Sequence, residues 1–214
     1  MKLIEYSLKR NNSYLFKDVD IIFDDGKINH LLGENGSGKS TFAKSLIGVM
    51  DHEGKVEDIT EPLVVLGSYT NLPQNLTKDE LVEVAFATSS NSNLFAKLES
   101  ILNIESIPNN KLSKMSDGQK QKMKLLFFLS LDPKTLILDE FTSGLDRKTI
   151  NEIYDFLNKY IKENEITIIN ITHNLEDLQV IPGSYYLIRE KDIIKFEDKN
   201  EVISAYTGRR DLLV

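Results

Sequence analysis

Residues Gly33-Glu34-Asn35-Gly36-Ser37-Gly38-Lys39-Ser40-Thr41 place glycines, a lysine and paired hydroxyls in the spacing G-x-x-x-x-G-K-[ST]. Glycines at these positions let the backbone curl until several N–H groups face one centre. A helix expected from Ser40 to Met50 would add the partial positive charge of its N-terminus. The chemistry implied is capture of a nucleotide's phosphates, with ATP the expected ligand. Lys39 reaches the β- and γ-phosphates and Ser40 holds Mg²⁺.

A second chemical group lies at Leu136-Ile137-Leu138-Asp139-Glu140, an apolar run ending in two acids. Buried parallel strands read as continuous apolar runs, and ligands of open α/β sheets sit at the strands' carboxyl ends. Asp139 is placed to bind Mg²⁺ and Glu140 to polarise an attacking water as general base.

The elements around these residues read as an α/β core. Short strands are expected at 2–8 and 19–23, with a turn at Arg10-Asn11-Asn12. Asp24-Asp25-Gly26 is a turn signal before the strand Lys27–Leu32. A turn and short strand follow near 54–60, then an apolar strand over Pro62–Leu66. Residues 78–106 read mostly as helix, interrupted at 89–93, and about 69–130 is expected to be a helical insertion. Strands return at Thr135–Leu138 and Ile166–Ile171. Between them, Ile150, Ile153, Tyr154, Leu157 and Ile161 share one face of a helix. Tyr185–Arg189 and Ile193–Phe196 suggest a closing hairpin. The expected fold is a mostly parallel sheet with helices, an N-terminal antiparallel β unit and the inserted helices, all within one domain over 1–214.

Bulk properties exclude several classes. Net charge is -7, which gives no overall bias toward nucleic acid or an anionic membrane. There is no cysteine, so disulfides, thiolate metal sites and a cysteine nucleophile are ruled out. The longest apolar run, Leu125–Leu129, is far short of the roughly 18 residues of a membrane span. A cytosolic protein is expected, with no signal-peptide pattern at its start.

Further motifs give the chain a family resemblance. Met115-Ser116-Asp117-Gly118-Gln119, just upstream of the acidic strand, is similar to the signature LSGGQ of the ATP-binding cassette (ABC) ATPases. Ser143-Gly144-Leu145-Asp146 matches that family's D-loop, and Thr172-His173 stands where its switch histidine lies. In order and spacing the chain resembles these ATPases over roughly residues 2–196. The resemblance implies an ATPase subunit of an ABC transporter, working as a homo- or heterodimer on separate transmembrane permease subunits at the inner face of the cell membrane. It further implies that Ser116, Gly118 and Gln119 close on a nucleotide held by the other subunit, that Asp146 contacts the dimer partner, and that His173 touches the γ-phosphate. No nucleic acid partner is expected. Rival readings are a DNA-repair or translation-associated ATPase and a regulatory ATP-binding module.

The residues also allow plainer roles. Ser116 with Gln119 fits a helix capping box, and Asp146 fits an N-cap. His173 suits a structural histidine at a strand end. Asp117 stands where the family usually has Gly and must point away from a phosphate. Phe141 replaces a usual Pro. The family's Q-loop glutamine, a Mg²⁺ contact, aligns with Ser68, while Gln74 is the nearest glutamine. For the aromatic that stacks on adenine, Tyr14 is nearest in type and Arg10 nearest in spacing; an Arg plane also stacks on a π-system.

Overall fold

The structure, a computed structural model, describes residues 1–142, 145–164 and 166–208. β1 (Lys2–Arg10) and β2 (Ser13–Ile22) form an antiparallel hairpin, and β4 (Glu53–Glu57) pairs on the other side of β1. Asn11 and Asn12 both sit at positive φ, 49° and 62°, the requirement of a two-residue type I′ turn. β2 begins six residues before the expected strand at 19. Its exposed Lys17, Asp18 and Asp20 hid the strand from the apolar pattern, and register shifts along β1 break the alternation further.

The second sheet has the order β5-β6-β7-β3-β8-β9. β3 (Ile28–Leu32), β5 (Leu63–Leu66), β6 (Thr135–Asp139), β7 (Thr167–Thr172) and β8 (Ser184–Arg189) are parallel to their neighbours, while β9 (Asp192–Phe196) closes an antiparallel hairpin with β8. β3, β6 and β7 are buried along their whole length. Their side chains alternate between two cores. Leu136, Leu138 and Ile168 join one with the helical segments, whereas Leu31, Ile137, Ile169 and Ile171 join the other with the antiparallel sheet.

α1 (Lys39–Leu46) lies between β3 and β4. It stops short of the expected Met50 because the chain turns at Gly48, at φ 71°. α2 (Lys78–Thr88), α3 (Ser92–Ile101) and α4 (Asp117–Leu129) follow β5 and pack Leu81, Ala85, Leu94, Leu98, Met123 and Leu126 together. The break expected at 89–93 is real: Asn91 caps α3, its Oδ1 accepting from Leu94 N at 3.0 Å. α5 (Arg147–Asn164) buries Ile153, Tyr154, Leu157 and Ile161 as its periodicity requires. A short α6 (Asp177–Val180) and α7 (Lys199–Thr207) complete the α-helices among the described residues.

Candidate functional site

Strand order decides which loops meet. β6, β7 and β3 are neighbours, with Asp139 opposite Ile171 and Leu32 opposite Thr172. The glycine-rich loop, the two acids and His173 therefore leave the sheet side by side at the carboxyl ends of three adjacent strands.

In the loop, Gly36 and Gly38 take φ of 86° and 104°, conformations that a side chain opposes. At Gly38 an added Cβ would also come within 3.1 Å of Leu15 and Phe16. Lys39 opens α1 but is buried, and its Nζ donates to the carbonyls of Gly33 (2.7 Å) and Glu34 (3.0 Å). Burial lowers its pKa, and the Glu140 and Asp139 carboxylates oppose that shift. Arg10, Asn35, Gly38, Lys39, Ser40 and Glu140 are among the residues lining a cavity of about 200 Å³ over this loop.

Asp139 is buried at the end of β6. Burial raises its carboxyl above the ordinary range, while the Ser40 hydroxyl and the Lys39 and Lys44 charges pull it down. Glu140 turns out of the strand at φ 52°, an uncommon conformation for a residue with a Cβ. Its N–H still donates to Ile171 O at 3.0 Å, and its Oε1 lies 3.0 Å from His173 Nδ1. Three buried oxygens in this loop region, Ser37 Oγ, Asp139 Oδ1 and Tyr69 Oη, have no hydrogen-bond partner. Buried polar atoms are otherwise nearly always paired, so this donor set fits a polar ligand.

α4 begins with the capping box read from the sequence. Ser116 Oγ accepts from Gln119 N at 3.3 Å, and Gln119 Oε1 accepts from Ser116 N at 3.0 Å. Asp117 points into solvent, 94% exposed, and pairs with Lys120 at 3.4 Å. Gly118 forms the first turn of the helix beside it. Asp146 caps α5, accepting from Thr149 N (2.9 Å) and Oγ1 (2.7 Å). Ser143 and Gly144, expected in the same motif, lie outside the described residues. Phe141 is buried edge-on against Tyr154, so an aromatic fills the position after Glu140 as packing.

The sequence model that matches residues 16–143 is that of the ABC transporter family. The chain belongs to the ABC transporter family. A probable peptide export ATP-binding protein of Bacillus subtilis is 40% identical over 209 residues, 96% of this chain and 99% of that protein. An energy-coupling factor transporter ATP-binding protein of Mesomycoplasma hyopneumoniae is 31% identical over 182 residues, 76% of this chain and 67% of that one. Among solved structures, the ATP-binding subunit of an ABC transporter superposes with TM-score 0.80 at 22% identity, covering 98% of this chain and 94% of that chain. A dimeric cassette in a post-hydrolysis state, bound to ADP and phosphate, gives 0.74 at 19% identity, covering 92% and 99%. At these identities the structural likeness speaks for the fold. The cassette is an ATP-binding, ATP-hydrolysing transporter subunit.

Two positions in the cassette depart from simple expectation. Ser68, the aligned Q-loop position, is exposed, and Gln74 Nε2 donates to Leu72 O (2.9 Å) within its own loop. The residue turned toward Asp139 is Tyr69, which the sequence reading passed over. Tyr14 is half-buried under Lys9, whose Nζ lies 4.5 Å from the ring centroid. It lines a cavity of about 580 Å³ with Glu34, Gly36, Ser37 and Tyr206. Arg10 lines the smaller phosphate-loop cavity instead. Size does not mark the site: a groove of about 850 Å³ between α3 and α5 contains none of the loop residues.

Proposed function

We propose that this cassette binds MgATP on the loop Gly33–Thr41 and hydrolyses it as one member of a pair, each site being completed by the other chain. The observation that carries the reading is the convergence of Lys39, Asp139, Glu140 and His173 at neighbouring strand ends. Glu34, Asn35, Gly36, Ser37 and Gly38 supply the curled backbone, and Lys39 leaves its loop carbonyls to meet the γ-phosphate. Mg²⁺ keeps several waters and uses one or two protein oxygens beside phosphates. Ser40 and Asp139 are those oxygens. A Mg²⁺ held by Ser40 and Asp139 would supply charge neutralisation to the nucleotide's phosphates. Glu140 accepts the proton of the water that attacks the γ-phosphorus, and His173 holds Glu140 and the γ-phosphate in register.

Ser116, Gly118 and Gln119 begin a helix whose N-terminus suits an anion, here the γ-phosphate on the partner. Asp146, the cap of α5, is the residue that would contact the partner chain. The chain forms a single nucleotide-binding domain with a helical subdomain inserted at about 69–130. No helix among the described residues is long and apolar enough to cross a membrane. Relatives named as ATP-binding proteins of transporters support a cassette that drives separate permease subunits from the cytoplasmic face. The relative named for peptide export supports a peptide cargo. Phosphate release from ATP by purified wild-type chain and Glu140→Gln tests the reading. Hydrolysis reduced at least about 100-fold with ATP still bound is the expected result, and unchanged hydrolysis would overturn Glu140 as base.

A further inference from the structure

The chain leaves β5 through a tight turn, residues 67–70. Thr70 Oγ1 donates to Val65 O (3.2 Å) and accepts from Gly67 N (3.0 Å), while Thr70 N donates to Gly67 O (3.1 Å). This closure fixes which of two consecutive side chains turns inward. Ser68 faces solvent, and Tyr69 packs back over Gly67. A Cβ on Gly67 would lie 2.8 Å from Tyr69 Cε1, so the bare glycine is the seat of the ring. Lys44 of α1 covers the ring from another side, with Nζ 4.5 Å from the centroid.

β5 and β6 are paired in register, Leu66 opposite Leu138. One step on, the turn carrying Tyr69 stands beside Asp139. Tyr69 Oη and Asp139 Oδ1 are both buried and both lack a hydrogen-bond partner. A phenol at neutral pH is a hydrogen-bond donor, and Tyr69 is the one standing against Asp139. Two buried oxygens, one on a donor and one on a carboxylate, thus stand beside each other at the end of β6.

We propose that Tyr69 is a positioning residue for the ATPase reaction: its phenol O–H, directly or through one water, orients the Asp139 carboxylate. The inference rests on the MgATP reading of the site above. It assigns to an aromatic hydroxyl the polar contact for which the sequence offered only Ser68 or Gln74. It also places that contact on the residue where the sheet hands over to the helical segments, so cation occupancy and the start of those segments share one bond.

Tyr69→Phe removes the hydroxyl and keeps the ring on Gly67 and under Lys44. Mn²⁺ titration followed by electron paramagnetic resonance, with a non-hydrolysable ATP analogue present, reads the cation directly. The expected result is Mn²⁺ binding weakened about 10-fold, the loss of one charge-assisted hydrogen bond. Metal-free nucleotide binding and melting temperature stay at wild-type values, and kcat falls about 10-fold with KM for ATP within about 2-fold. Unchanged Mn²⁺ affinity in Tyr69→Phe overturns the inference, as does a loss seen in Ser68→Ala and not in Tyr69→Phe. Failure of the wild-type chain to bind Mn²⁺ with nucleotide would instead overturn the site reading, and the role of Tyr69 with it.

Discussion

His173 Nδ1 lies 3.0 Å from Glu140 Oε1, joining the ends of β7 and β6 by a side-chain bond. The carboxylate accepts, so Nδ1 carries the proton in this contact, and the ring is half-exposed. The pair should act as a unit. Glu140→Gln is expected to lower kcat at least about 100-fold and His173→Ala at least about 10-fold. The double variant should be little slower than Glu140→Gln alone, because groups that act together do not add. Phosphate release under saturating ATP measures all three.

Gln74 is spent on its own loop. Its side-chain Nε2 donates to Leu72 O at 2.9 Å, and its backbone carbonyl accepts from Ser113 N at 3.0 Å. Gln74→Ala keeps the backbone bond, so kcat should stay within about 2-fold of wild type, whereas a 100-fold loss would mean that the side chain swings to the chemistry during turnover.

Asp146 holds two donors of Thr149 at the start of α5. Asp146→Ala should cost about 1 kcal/mol of stability, a fall of about 2–4 °C in Tm by calorimetry. Asp146→Ser, which still caps, should recover most of that. If Asp146 also contacts a partner chain, Asp146→Ser will restore Tm without restoring the ATP-bound dimer on size exclusion.

His30 is fully buried against Tyr185, with Nε2 at 2.9 Å from Ile181 O, and burial lowers its pKa to about 4. The folded value lies below the unfolded value of about 6.5, so the unfolded chain takes up the proton first. Its stability contribution is complete above that unfolded value and is lost as pH falls toward 4, by about 3 kcal/mol in all. Asp177, held above the ordinary carboxylate range by burial, works with the opposite sign at the acidic end of the same window. Urea unfolding at pH 7.5 and pH 4.5 should show the loss, and His30→Gln should flatten it.

Tyr14 and Arg10 line different cavities on either side of Gly36. Tyr14→Ala should weaken ATP about 5- to 10-fold, the scale of one aromatic stack, while leaving free triphosphate unaffected. Arg10→Ala should weaken ATP and triphosphate alike. Competition against a fluorescent nucleotide separates the two, and the reverse pattern would hand the base to Arg10.

The phosphate loop, Asp139, Glu140 and His173 were legible in the sequence because each abuts an apolar strand, and parallel sheets deliver such ends to one edge. The capping box of α4 was equally local, the Ser116–Gln119 pair being readable as letters. Tyr69 was not. Which of Ser68 and Tyr69 turns inward depends on the Thr70 hydroxyl closing the turn and on room left by Gly67, neither of which periodicity records. Arg10 and Tyr14 shared that difficulty, since register shifts along β1 decide where their side chains fall. The early start of β2 stayed hidden behind outward-facing charges.

One bond links parts of the chain that the proposed dimer assigns to different nucleotides. Gln121 Nε2, in the second turn of α4, donates to Phe141 O at 2.7 Å, one residue beyond Glu140. The helix whose tip would meet the neighbour's phosphate is thus fastened to the backbone that aims this chain's own general base. A tug on that tip reaches Glu140 through a single turn of helix and one amide. Two active sites wired in this way would not keep separate clocks, and the firing of one would set the timing of the other.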